Sequence, residues 1–174
     1  MKRQTNRNAK RSVNLLPILA VTVLMAAAAA VLLPKPSDGD SGSSPEGSAV
    51  PSGSDLVIQA EEIGTEASYF DYDADGVTIQ VFAVRASNNT VRLALNTCQV
   101  CSGSPYAYFE QDGDTFICQN CKNRFSSTDV GKVSGGCNPV PITAEVYTEQ
   151  DGAISIPSSF LEDSAPRFRN WKKF

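Results

Sequence analysis

The sequence predicts a mostly β protein: a small β-rich domain with a rubredoxin- or zinc-ribbon-like double CxxC knuckle, preceded by a single transmembrane helix. Three observations predict it. Apolar residues alternate with period two from Tyr69 onward, two CxxC motifs stand sixteen residues apart, and an uncharged apolar run lies close to the N-terminus. Among 174 residues there are five cysteines and no histidine. Any metal site must therefore use thiolates, carboxylates or backbone oxygens. A Ser-His-Asp triad, a Cys-His pair and histidine-ligated zinc chemistry are all excluded.

The first third divides into a tail, an anchor and a tether. Lys2, Arg3, Arg7, Lys10 and Arg11 make residues 1–12 a basic tail without an acid. Residues 13–33 follow as the anchor, and Leu15 to Leu33 carry no charge. At helical rise this run is about 28 Å long, close to the thickness of a bilayer's hydrocarbon core. Basic residues before the span place the N-terminus in the cytoplasm and the rest of the chain outside, in contact with membrane lipid only through the anchor. The rival is a cleaved signal peptide, since the alanine run offers A-x-A-like sites. The apolar run is longer than a usual signal core and continues through Val31, Leu32 and Leu33, which favours retention. Residues 34–54 are rich in Ser, Gly, Pro and Asp and predict a flexible linker, because such a stretch buries too little to offset its ordering entropy.

Residues 55–174 form the extracytoplasmic domain, long enough to build its own core. Its acids, running from Asp38 to Asp163 through linker and domain, leave no basic surface for nucleic acid. Val77, Ile79, Val81 and Ala83 alternate with Thr78, Gln80 and Phe82, the pattern of a half-buried strand. Ser87-Asn88-Asn89 supplies a turn into a second strand at Val91, Leu93 and Leu95. Ile142, Ala144 and Val146 continue the alternation, and Asp151-Gly152 turns the chain into Ile154 and Ile156. A short helix is expected around Ser158 to Asp163.

Cys98-x2-Cys101 and Cys118-x2-Cys121 have the spacing of a four-cysteine metal site. Asp112-Gly113 is a two-residue hairpin signal that sets Ala107 opposite Cys118 and folds the second pair back toward the first. Each x2 spacing lets two sulfurs grip one ion from a tight turn, with zinc the commoner ion on spacing alone. Three other readings stand beside metal-bound redox chemistry. Disulfides suit an exported domain but leave one of five cysteines over. A thioredoxin-like CxxC, as in an exported thiol–disulfide oxidoreductase, needs a motif that opens a helix in a βαβ unit. A structural zinc-ribbon interaction module needs nothing more than the spacing. Cys137 lies in Gly135-Gly136-Cys137-Asn138-Pro139, a sharp turn whose amides suit a sulfur cluster and whose thiol equally suits a buried or exchange role.

Asp71-x-Asp73-x-Asp75-Gly76 opens like a calcium loop, but Phe82 stands where the bidentate glutamate belongs, so a β-turn with solvated carboxylates is expected. Asn88-Asn89-Thr90 is a sequon that serves as a turn. Tyr106, Tyr108, Phe109, Phe116 and Phe125 are placed to shield the cysteines from water. The basic and aromatic end, Arg167 to Phe174, is expected to fray. No substrate pocket is evident, which argues against an enzyme.

The segments NTCQVC (Asn96–Cys101), FICQNCKNRFSSTDVG (Phe116–Gly131), GGCNPVPI (Gly135–Ile142) and YFDYDADGVTIQVFAVR (Tyr69–Arg85) together resemble the FtrD-like family of bacterial membrane iron–sulfur-containing proteins. The resemblance takes in all five cysteines. It implies an iron or iron–sulfur centre on Cys98, Cys101, Cys118 and Cys121, with Cys137 as a further cofactor-binding residue. It also implies an electron-transfer or metal-handling accessory of iron uptake, with an iron permease complex as the partner. Some relatives carry several spans where this chain offers one, so transport through the span itself is not expected.

Overall fold

The computed structural model describes residues 48–173, which fold into three antiparallel sheets. The basic tail, the anchor and the linker as far as residue 47 lie outside the described residues. No helix among the described residues is long and apolar enough to cross a membrane.

The central sheet has the order β2 (Ser68–Ala74), β3 (Val77–Arg85), β4 (Val91–Cys98) and β8 (Pro139–Ile142). A second sheet joins β1 (Leu56–Gln59), β10 (Ala153–Ile156) and β9 (Thr148–Gln150). The third joins β5 (Phe109–Asp112), β6 (Thr115–Cys118) and β7 (Arg124–Ser126). The expected short helix is α1 (Ser158–Ser164).

Turn chemistry explains the meander. Asp75-Gly76 and Asp151-Gly152 both have positive φ at both positions, the type I′ signature that matches strand twist. At the first of these, Asp73 accepts the Gly76 N–H at 2.6 Å, so its carboxylate serves the turn, and Phe82 is buried in β3. The third hairpin differs from the sequence expectation. Asp112 pairs with Thr115, and Cys118 stands opposite Phe109, not Ala107. Gly113, with φ of 57°, takes the first loop position and Asp114 the second. That position is where a II′ turn wants glycine, whereas the Asp-Gly reading put it second. The shift moves the partner by two residues, so Cys118 keeps its face.

The pattern in β3 is also only half of what the strand does. Ile79, Val81 and Ala83 face one core, as expected, but Gln80, Phe82 and Val84 are equally buried on the other side. The first core sets Tyr72, Ile79, Val81, Leu93, Leu95 and Ile142 against Leu56, Ile58, Ile154, Ile156 and Leu161. The second sets Phe82, Val84 and Ala94 against Phe109, Phe116, Phe125 and two cysteines. Phe82 and Phe116 stack with centroids 4.6 Å apart, a contact worth about 0.5–1.5 kcal/mol beyond its area.

Three further segments depart from expectation. The strand read through Ala144 and Val146 ends at Ile142, where Val146 N–H returns to Thr143 O at 2.8 Å and closes a turn. The C-terminal tail is docked, not frayed: Phe168 is buried in the first core, Lys172 N–H bonds Pro105 O at 2.9 Å, and Lys173 Nζ lies 4.0 Å above the Tyr69 ring. The end of the linker is docked too. Val50 bridges Tyr72 in parallel, and Ser52 Oγ and Gly53 N–H both donate to Glu162 Oε1, at 3.1 and 2.9 Å.

Tyr72 Oη adds a third donor to Glu162 at 3.0 Å, so one carboxylate ties linker, central sheet and helix. The Gly53 N–H, the Tyr72 hydroxyl and the Ser52 hydroxyl hold the Glu162 carboxyl below its ordinary range. A depressed folded-state value means the contribution is full above the unfolded carboxylate range and is lost as pH falls through the folded value. Glu162→Gln is expected to lower the urea midpoint at pH 7 relative to wild type. The gap should close in acid, and urea titrations at both pH values check it.

Candidate metal centre

Both cysteine pairs sit where a strand ends. Cys98 closes β4 and Cys118 closes β6, and each strand runs straight into its CxxC turn. The stretch between them holds the two turns together: Cys98 N–H donates to Ala107 O, and Gln119 N–H donates to Tyr108 O, both at 2.8 Å. One extended segment thus clasps the backbone of both pairs. After Cys121 the chain reverses through Lys122, at φ of 61°, and its N–H returns to Cys118 O at 2.9 Å.

The four sulfurs of Cys98, Cys101, Cys118 and Cys121 converge until all lie within 4.8 Å of one another. A tetrahedral ion with metal–sulfur bonds of about 2.3 Å sets its ligands about 3.8 Å apart, so a small contraction closes this shell around an ion. Backbone amides already point at the sulfurs. Cys101 N–H meets Cys98 Sγ at 3.4 Å, joined by Val100 N–H, while Cys121 and Asn120 N–H serve Cys118, and Asn123 N–H serves Cys121. Such donors stabilise thiolate charge, and a soft all-sulfur set suits iron or zinc.

The shell is asymmetric. Cys98 and Cys118 are buried, Cys101 is half-buried and Cys121 is exposed. Burial pushes the Cys98 and Cys118 thiols up, against the pull of their amide donors. Burial acts the same way on Cys121, but Asn123 N–H and the Cys118, Cys101 and Cys137 thiols outweigh it together and bring that thiol down to about 7. Cys137 is raised, first by its hydrogen bond to Cys121 and then by burial. Cys137 lies beside the group of four and packs against the second core.

Phe109, Phe116 and Phe125 back the two buried cysteines, as expected. Tyr106 is exposed, and Tyr108 turns edge-on to Trp171 at 5.9 Å. Neither CxxC opens a helix, so the setting a thioredoxin-like motif requires does not occur among the described residues.

Alternation alone passes over the residues that position this centre. Asn96 is wholly buried: its Oδ1 accepts Phe109 N–H and its Nδ2 donates to Gln80 Oε1, both at 2.8 Å. Gln80 in turn donates to Asp71 at 2.7 Å and accepts from Lys173 Nζ at 2.7 Å. Alternation marks Gln80 and Asn96 as the polar face of a half-buried strand. The available signal was an amide two residues before the first CxxC.

A β domain in which two strand-end CxxC turns present four convergent sulfurs belongs to the class able to hold a metal ion in an all-cysteine shell. The family is also shown. The chain belongs to the FtrD-like family of membrane iron–sulfur-containing proteins, whose model matches residues 63–168, all five cysteines among them. No curated protein and no solved structure matches the chain.

Asn96→Ala leaves the buried Phe109 N–H without its acceptor and Gln80 Oε1 with Lys173 Nζ alone, at a cost of about 1–3 kcal/mol. The expected outcome is a stability loss of that size by chemical denaturation, with weaker retention of metal against a chelator.

Proposed function

We propose that this protein holds iron outside the cytoplasmic membrane, as an electron-transfer or metal-handling accessory of iron uptake. Cys98, Cys101, Cys118 and Cys121 are the ligands in this reading, membrane lipid holds the anchor, and an iron permease complex is the partner. The observation that carries it is the convergence of four cysteine sulfurs within 4.8 Å in a chain of an iron–sulfur family.

Bound iron in a sulfur shell supplies one-electron chemistry with little rearrangement. The protein's own groups serve that use. Val100, Cys101, Asn120, Cys121 and Asn123 N–H groups are fixed toward sulfur, so no donors need reorient when charge changes. Phe109 and Phe116, both wholly buried, keep water from the inner side. Cys121, on the exposed side, gives a partner its shortest approach.

The compact shell is equally the size of a zinc site, so the first experiment must separate the two. The full chain, purified anaerobically in detergent, is expected to contain iron and to show thiolate-to-iron charge-transfer bands that disappear in Cys98→Ser and Cys118→Ser. Colourless protein with stoichiometric zinc would overturn the electron-transfer role and leave a metal-stapled domain.

A further inference from the structure

We propose that the loops around the centre form the docking face for an acidic partner protein. Val100, Tyr106 and Val133 make the apolar contact, and Lys122, Lys132 and Lys172 make the charged rim. The inference rests on the reading above for a centre to serve, and adds the surface and the charge of what meets it.

The first ground is that these loops are one surface. The first CxxC turn is tied to the Cys137 loop, since Gln99 N–H donates to Asn138 O at 2.9 Å and Gln99 Oε1 accepts Gly135 N–H at 2.8 Å. The segment that follows is tied to the second turn, where Ser104 Oγ donates to Asn120 Oδ1 at 2.6 Å. Asn123 Nδ2 donates to Cys137 O at 2.9 Å and closes the ring. These bonds join separate loops, so the face holds its shape before any partner arrives. Little ordering cost then falls on docking.

The second ground is where apolar surface shows. Among the described residues, five large apolar side chains are exposed. Val57 stands alone on β1, and the Tyr69 ring lies under Lys173 Nζ at 4.0 Å. The other three are Val100 at 65%, Tyr106 at 55% and Val133 at 39%, all on the tied loops that also carry the exposed Cys121. Single apolar residues scattered over a surface are ordinary, whereas a group around one site marks a contact.

The third ground is charge. Residues 99–106, 119–123 and 132–138 contain Lys122 and Lys132 and no acid. Among the described residues the one salt bridge joins Arg124 to Asp112, so neither lysine is neutralised by a carboxylate. Lys122 Nζ donates to the neutral Gln119 Oε1 at 3.0 Å. Lys172, exposed, is fixed at the edge of the face by its N–H to Pro105 O at 2.9 Å. In the rest of the domain acids outnumber bases. A basic rim on an acidic molecule steers an acidic protein to this face and disfavours its approach elsewhere. An anionic bilayer would meet the same few lysines and be repelled by the acidic remainder, whereas a protein can match the apolar patch and its rim alone.

The test places the photo-crosslinking residue p-benzoylphenylalanine at Val100, Tyr106 or Val133 of the full chain, in the cells that make it. Val57, comparably exposed on another sheet, is the control position. Adducts are identified by mass spectrometry. One acidic protein is expected from all three loop positions and not from Val57. Lys122→Glu/Lys132→Glu leaves every cysteine in place and should cut that adduct about tenfold. The purified double variant should keep wild-type iron and wild-type far-UV circular dichroism, which separates lost docking from lost folding. A phospholipid adduct in place of a protein, an adduct with a second copy of the chain, the same protein captured from Val57, a yield indifferent to charge reversal, or no adduct at all overturns the docking face. The two failures are read separately. Purified wild type without iron overturns the functional reading, and the adducts alone decide the docking face.

Discussion

From Ile79 to Val84 and from Leu93 to Cys98, β3 and β4 have no face toward water, and the rest of the molecule follows from that constraint. A strand pair buried on both sides needs two covers. The β1–β10–β9 sheet and α1 supply one with an ordinary aliphatic filling. The small β5–β6–β7 sheet must supply the other, yet its own buried hydrophobic filling comes down to Phe109, Phe116, Phe125 and Cys118. Three short strands hold together only if they have a hydrophobic face to bury. The Phe82–Phe116 stack and the Asn96 amide add support from the central sheet. A ligated ion would provide it from within, since binding energy that requires the folded shell is also folding energy.

The same cover sets the polarity of the site. Two cysteines grow from strand ends that the sheet buries, so burial raises the cost of their thiolates and amides partly restore it. The other two lie three positions further round each turn, toward solvent. The gradient from closed to open sulfur is a consequence of hanging a CxxC turn on a strand that ends at the edge of a core. No separate device is needed to create it.

Much of this was legible in the sequence for local reasons. Asp151-Gly152 and the Ser87–Asn89 turn act over a few residues, and so do both CxxC spacings, so reading along the chain finds them. What was missed depends on partners far away. Gln80 and Asn96 look like solvent-facing residues until a second sheet covers them, and alternation cannot announce a second cover when the covered residues are amides. Arg167 to Lys173 look like a frayed end because their partners are Pro105, Tyr69 and Gln80, some sixty to a hundred positions upstream. Val50 to Gly53 look like linker for the same reason, since Tyr72 and Glu162 hold them. The position of Gly113 within its hairpin was a matter of which mirror-image turn the loop adopts, a choice that glycine permits either way.

The pairing of β1 with β10 bears on the order in which the chain takes shape. Leu56 meets Ile156, about a hundred residues later, so the first core cannot close until almost the whole polypeptide has been made. All five cysteines leave the ribosome before β10 does. The hairpin that gathers Cys118 toward Cys98 spans only a short stretch, and such local loops close within microseconds. Nascent chain therefore passes through a stage in which the sulfurs are assembled and the principal core is not. An ion held by the sulfurs at that stage would keep these thiols from cross-linking before the principal core closes.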